Sequence, residues 1–186
     1  VRPHVKVVFV DRDGVINEDR TDYVKDWSEF RPIPGSIEAL KRLTNHGYAI
    51  IVITNQSVIN RKMVTHADLE TIHRKMGAMV RAQGGNITAI YYCPHRPEEG
   101  CKCRKPEPGL ILRAQADFGL TLSDTCMIGD SVKDMECARS AGCGRRILVR
   151  TGQGKETERI CREIGVTPDF VADDLAAAAT WLLCET

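Results

Sequence analysis

Two carboxylates stand two residues apart in Asp11-Arg12-Asp13-Gly14, directly after the apolar run VKVVFV. If that run is an extended strand, residues i and i+2 project the same way, so both acids face one ligand. Two close anions resist joint ionisation unless a cation sits between them. Asp130, in Ile128-Gly129-Asp130-Ser131, follows another apolar run and brings a third carboxylate if the two strands are neighbours. Such an oxygen cluster suits Mg²⁺, which keeps several waters and prefers phosphate-bearing ligands. Thr54 and Asn55 end a further strand-like run, where a hydroxyl and backbone N–H groups hold phosphate oxygens. Lys105, in Cys103-Arg104-Lys105-Pro106, reads as a mobile cation able to neutralise a phosphoryl group. Any single Asp is more often a turn residue or helix cap, and Asp134, one turn into a helix, is read in that way. Taken together, Asp11, Asp13 and Asp130 point to one site.

A second constellation is Cys93-Pro94-His95, followed by Cys101-Lys102-Cys103. Three thiolates and an imidazole within eleven residues make a tetrahedral Cys₃His set for zinc, with Pro and Gly letting the chain fold around it. All four positions are filled by protein, so this zinc is expected to be structural and not to activate water. The other five cysteines, Cys126, Cys137, Cys143, Cys161 and Cys184, are scattered and read as reduced structural thiols.

The segments DRDGVIN, ITNQS, CRKPEPG and MIGDSVKDM, in this order, resemble the four motifs of the haloacid dehalogenase superfamily of phosphatases, from about Val5 to Val149. The resemblance implies that Asp11 is a nucleophile and Asp13 a general acid/base. It further implies that Thr54 contacts the phosphoryl group, Lys105 stabilises it, and Asp130 binds Mg²⁺ with Asp11 and the backbone of Asp13. CPH followed by CxCRKPEPG is narrower and is similar to the heptose bisphosphate phosphatases of that superfamily, with the histidinol-phosphate phosphatases as the alternative. Both are compact members with no large cap domain. The zinc loop would then stand in for a lid, and Arg104 would recognise a second phosphate or the sugar. Asp19 to Tyr23 resembles a substrate loop stretched by one residue, which carries over Asp19 and Tyr23. Asn55 is read as a phosphate contact from its place beside Thr54 at the strand end. Ser131 departs from the family's frequent Lys. A stand-alone chain favours the heptose enzymes over the histidinol-phosphate ones. A phospho-receiver regulatory domain also gathers Asp, Ser/Thr and Lys on a doubly wound sheet, but its acceptor Asp lies on a later strand and it has no zinc loop.

These residues need a scaffold that gathers several strand ends. Apolar runs at Val5–Val10, Ala49–Ile53, Ile87–Tyr92, Thr125–Ile128, Arg146–Val149 and Phe170–Val171 alternate with helical patterns at Ser36–Asn45, Ala67–Gln83, Gly109–Phe118, Val132–Ser140, Glu156–Ile164 and Asp174–Leu183. That alternation predicts a single α/β domain over 1–186, doubly wound, with a mostly parallel sheet and helices on both faces. Ligands in such sheets bind beyond the carboxyl ends of the strands, where these residues fall. With 26 basic and 25 acidic residues the net charge is +1, without the basic excess of a nucleic-acid binder. No apolar run has the length of a membrane span, and VVFV is too short for a signal-peptide core. The expectation is a soluble cytoplasmic monomer acting on a small sugar bisphosphate, with no nucleic-acid or membrane partner.

Overall fold

The computed structural model describes residues 6–184. Val5 and both ends of the expected 1–186 domain lie outside the described residues. In chain order the elements are β1 (Lys6–Val10), α1 (Ser36–Asn45), β2 (Tyr48–Asn55), α2 (His66–Ala82), β3 (Ala89–Cys93), α3 (Gly109–Phe118), β4 (Thr125–Gly129), α4 (Val132–Ala141), β5 (Arg145–Val149), α5 (Gly154–Ile164), β6 (Phe170–Ala172) and α6 (Leu175–Cys184). The strands lie in the order β3-β2-β1-β4-β5-β6, and all five pairings are parallel. The order of strand addition reverses at β1, with β2 on one side and β4 on the other, so a crevice opens beyond the carboxyl ends of β1 and β4.

Strand alternation sorts the core into two layers. Val8 and Val10 of β1, Ile50 and Val52 of β2 and Ile128 of β4 pack with Leu40 and Leu43 of α1, Ile72 and Met76 of α2, and Leu175 and Leu182 of α6. Val7 and Phe9, on the opposite side of β1, join Ile51, Ile53 and Met127 against Leu110 and Ile111 of α3 and Cys137 and Ala138 of α4. Burial on both faces explains why the central strands are continuously apolar. Each fully buried Val, Leu, Ile or Phe contributes roughly 1.5–3 kcal/mol.

Most boundaries shift by a residue or two from the sequence reading, and those of β2 and β3 bear on the site. β2 runs on to Asn55, two residues beyond the apolar run Ala49–Ile53, so Thr54 and Asn55 end the strand itself. Their backbone stays paired because β3 continues alongside, with Thr54 opposite Tyr92 and Asn55 opposite Cys93. β3 starts at Ala89, two residues later than its apolar pattern, and its last residue is Cys93. Among the described residues, no helix is long and apolar enough to cross a membrane.

Candidate active site

Asp11 directly follows β1 and Asp130 directly follows β4, and Asp134 enters from the first turn of α4. One carboxylate oxygen of each lies within 4.8 Å of the others. All three are buried, at 8%, 3% and 0% exposure. The cation facing them is Lys105, whose Nζ lies 2.9 Å from Asp11 Oδ1 and 2.6 Å from Asp134 Oδ1. Nζ also donates to the carbonyl of Ile53 at 2.9 Å. Lys105 is therefore not the mobile cation of the sequence reading. It is 2% exposed and held on three sides. Burial pushes the Asp11 carboxyl up to about 7; Lys105 opposes this and Asp134 adds to it. Burial, then the charges of Asp134 and Asp11, push Asp130 up to about 8. One lysine does not balance three carboxylates in so dry a place. The imbalance and an all-oxygen donor set fit a hard divalent cation such as Mg²⁺.

Local sequence explains the placement. Asp134 is the third residue of α4, and Ser131 is its cap. Asp134 Oδ2 accepts from the backbone N–H groups of Asp130 and Ser131 at 3.2 and 3.0 Å, and from the Ser131 hydroxyl at 2.7 Å. One oxygen thus starts the helix while the other meets Lys105. The bland reading of Asp134 was incomplete. Asp130 Oδ2 accepts from the Gln153 N–H at 2.8 Å, in the turn after β5. Gly14 and Gly152 flank that oxygen, and a Cβ on either would come within 2.1 Å of it. Both have positive φ, +83° and +55°, so glycine is required for backbone and space together. Thr151 Oγ1 ties the same turn to the carbonyl of Gly14 at 2.6 Å. Nothing in the sequence reading pointed to residues 151–153, because a TGQG turn looks like any loop.

Asp13 is turned to other partners. Its oxygens accept from Arg12 Nε and Nη2 at 3.2 and 2.9 Å, from Asn17 Nδ2 at 2.9 Å and from Gln56 Nε2 at 2.8 Å. Burial acts to raise its carboxyl, but Arg12, Asn17 and Gln56 hold it below its ordinary value. Gln56 Nε2 also donates to Thr54 Oγ1 at 2.8 Å, which sets the hydroxyl at the end of β2. The Asn55 amide donates to the Lys105 carbonyl at 3.1 Å and accepts from the Lys105 N–H at 3.0 Å. It braces the backbone under the lysine. Asp19 is exposed, and its Oδ2 accepts from Gln153 Nε2 at 3.2 Å. Tyr23 adopts φ 64° and packs on Val58, Ile59, Val64 and Leu69, with Arg61 over its ring. Asp19 and Tyr23 are not among the groups that touch the carboxylates.

The Cys/His cluster closes at the end of β3. Cys93, His95, Cys101 and Cys103 place ligand atoms within 4.8 Å of one another. Sγ–Sγ separations are 3.2–3.5 Å, and His95 Nδ1 lies 3.4 and 3.3 Å from Cys93 and Cys103 Sγ. With Zn–S bonds of about 2.3 Å a tetrahedron has edges of about 3.8 Å, so this thiol-rich set fits zinc after a small expansion. Burial pushes the Cys93 thiol up, whereas at Cys101 the N–H groups of Cys103 and Arg104 outweigh burial and bring the thiol down to about 7. Arg104 Nη1 donates to the carbonyl of His95 at 3.0 Å. Arg104, Lys105, Lys102 and Lys133 together line a cleft of about 440 Å³.

The haloacid dehalogenase-like hydrolase model matches residues 8–87, and a second model described as HAD-hydrolase-like matches 102–178. A D-glycero-β-D-manno-heptose-1,7-bisphosphate 7-phosphatase of Pseudomonas aeruginosa is 44% identical over 177 residues, spanning 95% of this chain and 97% of that one. The chain belongs to the haloacid dehalogenase-like hydrolases. As a member it is an enzyme of the phosphatase type, and the phospho-receiver alternative is set aside. A Bordetella bronchiseptica D,D-heptose 1,7-bisphosphate phosphatase, solved with magnesium and phosphate, matches this haloacid dehalogenase-like fold with a TM-score of 0.90. It is 39% identical and spans 97% of this chain and 99% of its own. The Burkholderia thailandensis enzyme of the same name matches with a TM-score of 0.73 at 33% identity, over 96% and 98% of the two chains.

Proposed function

We propose that this protein hydrolyses the 7-phosphate of D-glycero-β-D-manno-heptose 1,7-bisphosphate through an aspartyl-phosphate on Asp11. The chemistry rests on one observation, the buried group of Asp11, Asp130 and Asp134 set against Lys105. The substrate is the one named for relatives that match end to end. In the first half-reaction a carboxylate oxygen of Asp11 bonds to phosphorus in line as the bond to the sugar oxygen breaks. Asp13 gives a proton to that departing oxygen. In the second half, Asp13 takes a proton from water, the water oxygen bonds to phosphorus, and Asp11 leaves as a carboxylate with inorganic phosphate released. Lys105 and Thr54 hold the phosphoryl oxygens, and Asp134 and Asn55 keep Lys105 in place. Asp11, Asp130 and the backbone of Asp13 would hold Mg²⁺, which supplies positive charge for the transferring group.

Cys93, His95, Cys101 and Cys103 are proposed to hold a structural zinc that fixes the loop bearing Arg104. That residue then grips the second phosphate or the sugar. Asp19 and Tyr23, on the loop after β1, are assigned to the sugar side, and Asn55 to the phosphate side through Lys105. We further assign residues 1–186 to one domain, acting in the cytoplasm as a monomer without nucleic-acid or membrane partners.

The deciding experiment measures phosphate release from both heptose bisphosphate anomers, histidinol phosphate and simple sugar phosphates. A preference for heptose bisphosphate is expected, and a preference for histidinol phosphate overturns the substrate. Asp11→Asn is expected to abolish turnover with an intact fold, because the amide keeps the shape and loses the nucleophile. Retained steady-state activity in that variant sinks the covalent mechanism.

A further inference from the structure

Among the described residues Arg12 is the largest fully buried side chain, at 1% exposure, and it lies between the two acids of the DRD segment. A buried guanidinium must have every face answered. Nε and Nη2 are answered by Asp13. Nη1 is answered by His73 Nε2 at 3.2 Å, from the buried side of α2. Arginine has donors only, so the imidazole accepts at Nε2 and carries its proton on Nδ1. Burial and the nearby guanidinium push His73 down to about 3, which keeps it neutral. Tyr92 of β3 packs against the ring at 5.8 Å between centroids, and its hydroxyl is in turn 2.9 Å from His66 Nδ1. An acceptor from α2, backed by β3, therefore fixes the roll of the guanidinium that holds Asp13.

We propose that Arg12 and His73 are positioning residues for the proposed reaction, setting the direction in which the Asp13 carboxyl meets the leaving-group oxygen. This rests on the reading of Asp13 as general acid. Asn17 and Gln56 each hold one oxygen by a single bond, whereas Arg12 spans both, so the orientation depends chiefly on Arg12. The roll of Arg12 in turn depends on His73. Neither residue touches the phosphoryl group; both act through Asp13.

The test exploits the leaving group. A sugar alkoxide needs a proton as it departs, whereas p-nitrophenolate does not, so only the first reaction depends on where the acid points. kcat/KM ends at departure of the first product and leaves out hydrolysis of the phospho-enzyme, a step common to both substrates. His73→Leu removes the acceptor and keeps the bulk, and His73→Gln restores an acceptor oxygen. His73→Leu is expected to lower kcat/KM for the sugar bisphosphate by roughly tenfold or more while p-nitrophenyl phosphate changes by less than about threefold, with His73→Gln recovering most of the loss. Arg12→Gln should show the same selective loss and serves if His73→Leu fails to fold by thermal melting. Equal losses on both substrates, or no loss in Arg12→Gln, overturn the proposal. Asp13→Asn, run alongside, separates the two levels. If it too hurts both substrates equally, the general-acid reading fails. If it is selective and the Arg12 and His73 variants are not, only the positioning role fails.

Discussion

Asp11 and Asp130 carry a consequence for pH, because both carboxyls sit well above their ordinary value of 3.8, at about 7 and about 8. A carboxyl raised in the folded state binds more protons there than in the unfolded chain. Its stabilisation is complete below about pH 4 and is lost as pH rises through its folded value. The metal-free protein should therefore lose stability from these two groups between about pH 4 and 8. Mg²⁺ needs the ionised forms, so it should raise Tm more at pH 8 than at pH 6. Thermal melts at both pH values, with and without Mg²⁺, check this; an equal shift at both contradicts the assignment of Asp11 and Asp130 to one cation. Three of these site residues were unequally legible. Asp11 and Asp130 announce themselves because each ends an apolar strand. Asp134 lay one helical turn beyond Asp130 in GDSVKD, yet a capping role explained it fully and hid its second oxygen. His73 falls on the Leu69-Ile72-Met76-Val80 stripe, and a polar residue on a buried stripe was the signal that could have found it.

At the level of single elements, two helices begin with the same device. Thr65 and Ser131 each head a capping box closed by an Asp three residues on, Asp68 for α2 and Asp134 for α4. Thr65→Ala and Ser131→Ala should each cost about 1 kcal/mol of stability. Activity should separate them, since Asp68 is exposed whereas Asp134 also bears on Lys105. Chemical denaturation with kcat/KM on both variants checks it; equal activity loss would count against a role for the α4 start. The loop proposed to hold zinc makes a second prediction. Cys101→Ala should release zinc, read by elemental analysis, and lower kcat/KM for heptose bisphosphate roughly ten- to a hundredfold more than for a small phosphate ester, as Arg104→Ala should. Periodicity and caps located the helices well because those signals are local. The apolar pattern of β2 stops short at Ile53, because the pairing of Thr54 and Asn55 depends on β3, a partner distant in the chain.

Across the whole molecule, the site exists only where the halves of the sheet meet. β1 and β4 carry the acids, and the turns after β1 and β5 touch around Asp130 through Gly14 and Gly152. Gly152→Ala should cost about 1–2 kcal/mol for its left-handed backbone alone. The new methyl also meets Asp130 Oδ2, so Mg²⁺ affinity and kcat should fall with it. Titration calorimetry with Mg²⁺ checks this, and unchanged affinity would remove the turn from the site. The contact at Gly152 also fixes an order in time. Asp11 leaves a ribosome well before Asp130, Asp134 and Gln153, which follow it by more than a hundred residues in the chain. Pairing of β1 with β4 must wait for them, so the mutual repulsion of the acids arises late, when β1 and β2 have already been synthesised. A nascent chain is thereby spared a crowd of buried charges until β4 has been made, and the pocket closes only once the turn after β5 has followed it.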